Sequence, residues 1–307
     1  MIEARHLRVL RAVARTGSLS AAARELGYTQ PAVSQQMKAL ERTVGTPLVV
    51  RAARGVRLSE AGEVLVRHAD PILAGLTAAE EELAAIAGLR SGRVRLVSFP
   101  TASSTLVPAA VAEVRAAEPG IRVSLTEAEP AEAAAMLRGG DCEVALAFRY
   151  PAHSAADWAG LVVRPLLADR LVGVVPAGHR LAGRGPLALA ELADEQWIAG
   201  CPQCRGHLVE LCERAGFSPR IDFATDDYPA VFGLVRAGLG VAVLPELALS
   251  SVRPEGVSVL PLASGVLREV VALTLPDLAP VPAVGLMLDR LSLVASRRPA
   301  HSLNGQG

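Results

Sequence analysis

The 307-residue chain is 51% hydrophobic and 20% charged, a balance that fits a folded protein of two or three domains and excludes a disordered one. Arg236, Glu246 and Asp277 interrupt the later apolar runs, and the charged start "MIEARHLRVLRAVAR" lacks the apolar core of a signal peptide, so neither a membrane span nor export is expected. Net charge is zero, yet residues 1–58 hold ten basic against three acidic residues, a head of +7 on a remainder of −7, the footprint of a nucleic-acid-binding module joined to something else.

The head reads as three helices and a wing. Leu7, Leu10 and Ala14 recur at helical spacing, and Thr16-Gly17 ends that helix. Ser18 is placed to cap a second helix, Leu19 to Leu26, with Gly27 at its end. Thr29 caps a third, with Pro31 tolerated in the first turn and Val33, Met37, Leu40 and Val44 as its apolar stripe. Gln30, Ser34, Gln35 and Lys38 then share an outward face. Glutamine and serine can bond base edges, and lysine can meet a phosphate. Two helices joined by a tight glycine turn, the second polar outside, form the helix-turn-helix pattern. After Pro47, "LVVRAARGVRLS" predicts two short strands with Arg51 and Arg54 near the tip, suited to the DNA backbone or a minor groove.

Ser59 caps a long helix in which Leu65, Ala69, Ile72, Leu76, Ala79, Leu83 and Ile86 alternate by four and three. Such a seam pairs helices, and Leu65, Ile72, Leu76 and Leu83 are its dimerisation candidates. Pro71 removes one backbone hydrogen bond, so a kink near Arg67–Asp70 is expected. "GLRSG" breaks the helix. Beyond it, strand-like and helix-like runs alternate in two sets, which argues for parallel α/β sheets in two lobes with a ligand cleft between them.

In this order the motifs resemble the LysR-type transcriptional regulators over nearly the whole chain. The head carries most of the likeness, in "GSLSAAARELGYTQPAVSQQMKALERTVGTPLVVR" and "GVRLSEAG", with Val49-Val50 where many members have a phenylalanine. In the body, "LVRAGLGVAVLP" is similar to the family's glycine-rich segment and "GGDCEVALAF" to the end of its first lobe, Cys142 replacing a commoner leucine. The resemblance implies an all-α winged helix-turn-helix with a long linker helix, then an α/β two-lobed domain like a periplasmic binding protein. Its divisions would be 1–58, 59–90 and 91–297, with lobe I about 91–162 and 268–297, lobe II about 163–267, and a tail from 298 to 307. Strands near 161–167 and 266–272 would cross between lobes. It also implies a cytoplasmic homodimer or homotetramer that binds promoter DNA, answers to a small-molecule effector and works with RNA polymerase. DNA contacts would come from Gln30, Pro31, Ser34, Gln35 and Lys38, with Ser18 and Ser20 on phosphate.

By the same resemblance the effector meets the turns that follow the body's strands. "SFPTASS" offers Ser98, Thr101, Ser103 and helix-opening amides, a site for an anion. The next turn carries Glu127 and Glu129; opposite lie Gly200 and Cys201 of "AGCPQCRGH", then Asp226 and Asp227. This mixture leaves the ligand charge open. Cys201 and Cys204 could close a redox disulfide, could join His207 in a metal site, or could simply line the cleft. Cys212 is poorly placed as a further metal ligand, and neither a metal nor another cofactor is expected. The helix dipole would lower the Cys201 thiol pKa. An α/β enzyme with a basic arm is the rival reading, but the sequence shows no phosphate loop, serine elbow or carboxylate–histidine constellation. A solute-binding protein would have no use for the basic head.

Overall fold

Left-handed glycines set the helix lengths of the head. In a computed structural model that describes residues 1–52, 55–86, 92–150, 158–252 and 254–298, α1 (Ala4–Thr16) stops at Gly17 (φ 61°) and α2 (Leu19–Leu26) at Gly27 (φ 68°). The Ser18 hydroxyl accepts from the Ala21 amide at 3.4 Å, and Thr29 accepts from Ala32 at 3.4 Å to open α3 (Gln30–Val44). Val33, Met37 and Leu40 are buried with Leu10 and Val13, whereas Val44, expected in the same stripe, is exposed where the chain turns off at Gly45. The wing is β1 (Val49–Arg51) paired antiparallel with β2 (Val56–Leu58). Val56 donates to the Gly17 carbonyl at 2.9 Å, and a Cβ on Gly55 would sit 2.2 Å from that oxygen, so only glycine fits there. The Glu41 carboxylate accepts from the Leu48 and Val49 amides at 2.9 and 3.3 Å, fixing the wing to α3. Arg54 lies outside the described residues.

The linker helix α4 (Glu60–Ile86) runs through Pro71 and divides its apolar residues between two faces. Leu65 and Ala69 pack with Leu7 of α1, so Leu65 belongs to the chain's own core rather than to a seam for a partner. Ile72, Leu76 and Leu83 are 54%, 38% and 66% exposed, which leaves these three of the expected seam open. Among the described residues no helix is long and apolar enough to cross a membrane.

In the body, β3 (Arg93–Ser98), α5 (Pro100–Thr105), α6 (Val107–Ala117), β4 (Arg122–Glu127), α7 (Pro130–Arg138) and β5 (Val144–Arg149) build a lobe whose strands lie parallel in the order β4-β3-β5. The long β6 (Val162–Pro176) leads into a second lobe of β7 (Gln196–Ala199), α8 (Pro202–Arg214), β8 (Arg220–Ala224), α9 (Tyr228–Arg236), β9 (Ala242–Pro245) and β10 (Val257–Pro261). Then β11 (Leu267–Thr274) returns, and α10 (Pro282–Ser296) packs on α6. The sheets are mixed, not purely parallel as the alternation suggested. The reason is β11, which lies between β5 and β6 and runs antiparallel to both, while β9 and β10 flank the far end of β6 antiparallel.

Where β6 and β11 cross, Arg268 and Asp169 stand directly opposite in the register. They form an ion pair of 2.8 Å at 1% and 4% side-chain exposure. The other Asp169 oxygen accepts from the Leu247 amide at 3.0 Å, Arg268 donates to the Thr101 hydroxyl at 2.7 Å, and its guanidinium lies 4.6 and 5.2 Å from the Phe148 and Phe99 ring centres. A buried charge that loses its partner is strongly destabilising, whereas a fully neutralised pair is tolerated. Arg268→Met should therefore lower the free energy of unfolding by about 3–5 kcal/mol in urea titrations. Arg268→Met combined with Asp169→Asn should lose clearly less.

The head also touches the body. Arg11 meets Asp141 at 3.2 Å, with Arg15 at 3.9 Å from the same carboxylate, and Asp70 of α4 sits beside them with Oδ1 buried and unbonded. Burial, opposed by Arg11 and reinforced by Asp141, pushes the Asp70 carboxyl from 3.8 up to about 6. A raised acid favours the folded state below its unfolded pKa, and that contribution disappears as pH rises through its folded value. Asp70→Asn should thus be more stable than the parent above pH ~6 and should flatten the stability slope between pH ~4 and ~6. Because Asp70 is only half-buried, screening keeps the gain to about 1 kcal/mol or less.

Candidate DNA interface and effector cleft

On α3 the side chains of Gln30, Pro31, Gln35 and Lys38 are exposed and Ser34 is half-exposed. Together they line one open groove that ends at Pro47. The Gln30 side-chain amide donates to the Ser34 hydroxyl at 2.9 Å, which holds the first turn of the row in place. From Gln30 to Lys38 the row spans about two turns, roughly 12 Å along the axis, on a helix whose diameter of about 10–12 Å fits the B-DNA major groove. Ser18 has its hydroxyl engaged in capping α2, with Ser20 exposed beside it. Arg51 is exposed at the end of β1.

The second candidate site lies between the lobes, above the Arg268–Asp169 pair. Phe148, Tyr150 and Glu129 line it from the first lobe, facing Gly200, Cys201 and Asp226 from the second. Of the effector turns read from the sequence, Glu129, Gly200, Cys201 and Asp226 line this cleft directly, and Thr101 reaches it through Arg268. The others fall elsewhere. Ser98 is buried with its hydroxyl on the Phe99 carbonyl, and the Ser103 hydroxyl turns back to the Ser98 carbonyl at 3.4 Å. Glu127 is exposed, and the inward carboxylate is that of Glu129. Asp227 is exposed with its amide on Thr225, and the lining residue is its neighbour Asp226.

Among the lining residues that sequence reasoning passed over are Arg268, Tyr150 and Tyr228. The signal for Arg268 was period two: it shares parity with the buried Val270 and Ala272, as Asp169 does with Leu171 and Val175. Opposite charges on two inward faces point to a pair.

Around the thiols the geometry is tight. Cys201 caps α8, accepting from the Cys204 amide at 3.3 Å, and its Sγ lies 2.9 Å from the Cys204 Sγ as a donor. The Tyr150 hydroxyl donates to Cys204 at 3.6 Å, and the Tyr150 ring stacks on His207 at 3.7 Å. The bond from Cys201, opposed by burial and reinforced by Arg268 and the Tyr150 hydroxyl, holds Cys204 toward thiolate. Cys201, by giving that hydrogen bond and by burial, is pushed up. This reverses the expectation that the helix dipole would lower Cys201: a hydrogen bond at contact distance outweighs a partial charge spread over a helix end. Burial pushes Cys142 and Cys212 up to about 12, so both are inert thiols.

Comparison with known proteins ties the two sites together. Residues 4–63 match the family model of the bacterial regulatory helix-turn-helix protein, lysR family, and residues 87–295 match the LysR substrate binding domain. The chain is 31% identical to the HTH-type transcriptional regulator TfdS of Cupriavidus pinatubonensis over 295 residues, which is 94% of this chain and 97% of TfdS. Among solved structures, it is similar to a full-length OxyR variant of Pseudomonas aeruginosa, with TM-score 0.74 and 21% identity over 98% of this chain and 99% of that one. It is likewise similar to full-length CbnR complexed with its target DNA, with TM-score 0.60 and 22% identity over 95% and 100% of the two chains. At these identities the structural likeness speaks for the fold. A basic winged head and a two-lobed body, each matched by its own family model, make this chain a member of the LysR-type transcriptional regulators, DNA-binding proteins with an effector-binding domain and not enzymes.

Proposed function

We propose that the chain works as a dimer or higher oligomer that reads promoter DNA through α3, and that a small molecule held above Arg268 alters this binding. The observation that carries the reading is the polar row Gln30, Ser34, Gln35 and Lys38 on an exposed helix whose opposite face is the core of the head. Arg51, with Arg54 beyond it in the sequence, would add backbone contacts from the wing, and Ser18 and Ser20 would meet phosphate at the start of α2. Assembly through α4 is supported by Ile72, Leu76 and Leu83, apolar side chains on a helix face that their own chain leaves uncovered. Such a regulator works in the cytoplasm, and RNA polymerase is the partner through which it would act.

Gln35→Ala should weaken binding to the specific upstream site by about 1–3 kcal/mol and leave binding to random DNA nearly unchanged, as measured by footprinting at fixed salt. An equal loss on both would show that Gln35 reads no base. Leu76→Glu should dissociate the oligomer in sedimentation and weaken operator binding with it, since one head alone spans a single half-site. An unchanged, folded oligomer would place the interface elsewhere.

A further inference from the structure

We propose that the interlobe cleft binds a thiophilic divalent cation of the zinc class, held by Glu129 of the first lobe and by Cys201 and Asp226 of the second, with Cys204 as a further donor. The proposal deepens the reading of this cleft as the effector site and rests on it.

The three residues come from separate turns that each follow a strand: Glu129 after β4, Cys201 after β7 and Asp226 after β8. Their ligand atoms nevertheless all lie within 4.8 Å of one another. Cys204 is not part of that set and adjoins it through Cys201, whose Sγ is 2.9 Å from its own. Two further observations point to a missing positive charge. Glu129 Oε2 is buried with no hydrogen-bond partner. The single thiol proton of Cys201 also faces two acceptors, Cys204 Sγ at 2.9 Å and the Glu129 carboxylate. A cation between them would meet the unpartnered Glu129 oxygen and the Cys201 sulfur together.

Charge decides between ligand classes. Arg268 is the only permanent cation among the described lining residues, and it is committed to Asp169 and Thr101. An anion entering the cleft would meet Glu129 and Asp226 beside an arginine already committed to a carboxylate, so the lining side chains favour a cation. A thiol sulfur with two carboxylates, and a second sulfur beside the first, disfavours magnesium and calcium, which take oxygen, and suits zinc. Zinc–sulfur bonds of about 2.3 Å in a tetrahedron put two sulfurs about 3.8 Å apart. From their 2.9 Å separation, the cysteines need to spread by only about 1 Å. Sequence spacing alone could not complete this set, because the donors beyond the two cysteines arrive from distant turns. An ion held from both sides ties the lobes together, so occupancy favours the closed arrangement.

The test uses the full chain with its thiols reduced, titrated with Co²⁺ and then competed with Zn²⁺. One Co²⁺ per chain should bind with sulfur-to-cobalt charge-transfer absorption in the near ultraviolet. Cys201→Ser keeps a capping oxygen for α8 and should lose most of that absorption. Glu129→Gln and Asp226→Asn should each weaken binding on the order of tenfold or more, and Cys142→Ala should leave it unchanged. Absence of the absorption in the parent protein overturns the proposal. So does unaltered affinity in the Glu129→Gln, Asp226→Asn double variant, which would mean a chelate of the two cysteines alone. Retention of the metal-free protein on its own upstream DNA is measured in parallel. DNA retention without cobalt binding overturns the metal site and leaves the regulator standing; cobalt binding without DNA retention does the opposite.

Discussion

The buried pair of Arg268 and Asp169 is the constraint around which the body is arranged. Two charges taken almost fully out of water are stable only when geometry and further hydrogen bonds satisfy them. Here that requirement recruits the Leu247 amide, the Thr101 hydroxyl and the faces of Phe148 and Phe99. Thr101 belongs to α5, Leu247 to the turn after β9, Phe148 to β5. Each is fixed relative to the crossing of β6 and β11, and through them so are both walls of the cleft. Phe148 is two residues from Tyr150, which reaches Cys204. A continuous line of contacts therefore joins the place where the lobes meet to the thiols above it.

The head follows a different logic, because it must be rigid and leave its chemistry outside. Its helices are short and held by caps and glycine turns, so burial of a few apolar side chains suffices to orient α3. Glu41 then adds a carboxylate that the Leu48 and Val49 amides share, which makes the wing and α3 one unit. The Arg11–Asp141 contact lays this unit against the first lobe at the turn after α7, where Gly140 (φ 66°) allows the arginine to approach. Two of the head's positive charges are spent inside the chain and not on DNA.

The head was legible from its sequence because everything that shapes it is local. Ser18, Gly27 and Thr29 act within a few residues, and an apolar stripe of period 3.6 needs no knowledge of the rest of the chain. The linker was half legible. Its four-three rhythm picked out Ile72, Leu76 and Leu83, which are exposed, but rhythm cannot tell an exposed apolar residue from one, like Leu65, that the chain's own α1 already covers. The cleft was the least legible part. Thr101, Ser98 and Ser103 look alike in sequence, and only the position of Arg268 on a strand about 170 residues away decides which hydroxyl gains a side-chain partner. Each acidic turn was found as a pair, Glu127 with Glu129 and Asp226 with Asp227, and only the exact exit of the strand decides that Glu129 and Asp226 are the members that line the cleft.

The position of β11 has a consequence for how the protein is made. It fills the slot between β5 and β6 but is among the last strands to be synthesised. Until it emerges, β5 and β6 each present an open edge, and the first lobe cannot finish its sheet. The head completes its core far earlier, with the start of α4. On the ribosome a folded DNA-binding unit therefore precedes its own control domain, and a chain cut short before residue 267 would keep the first and lack the second.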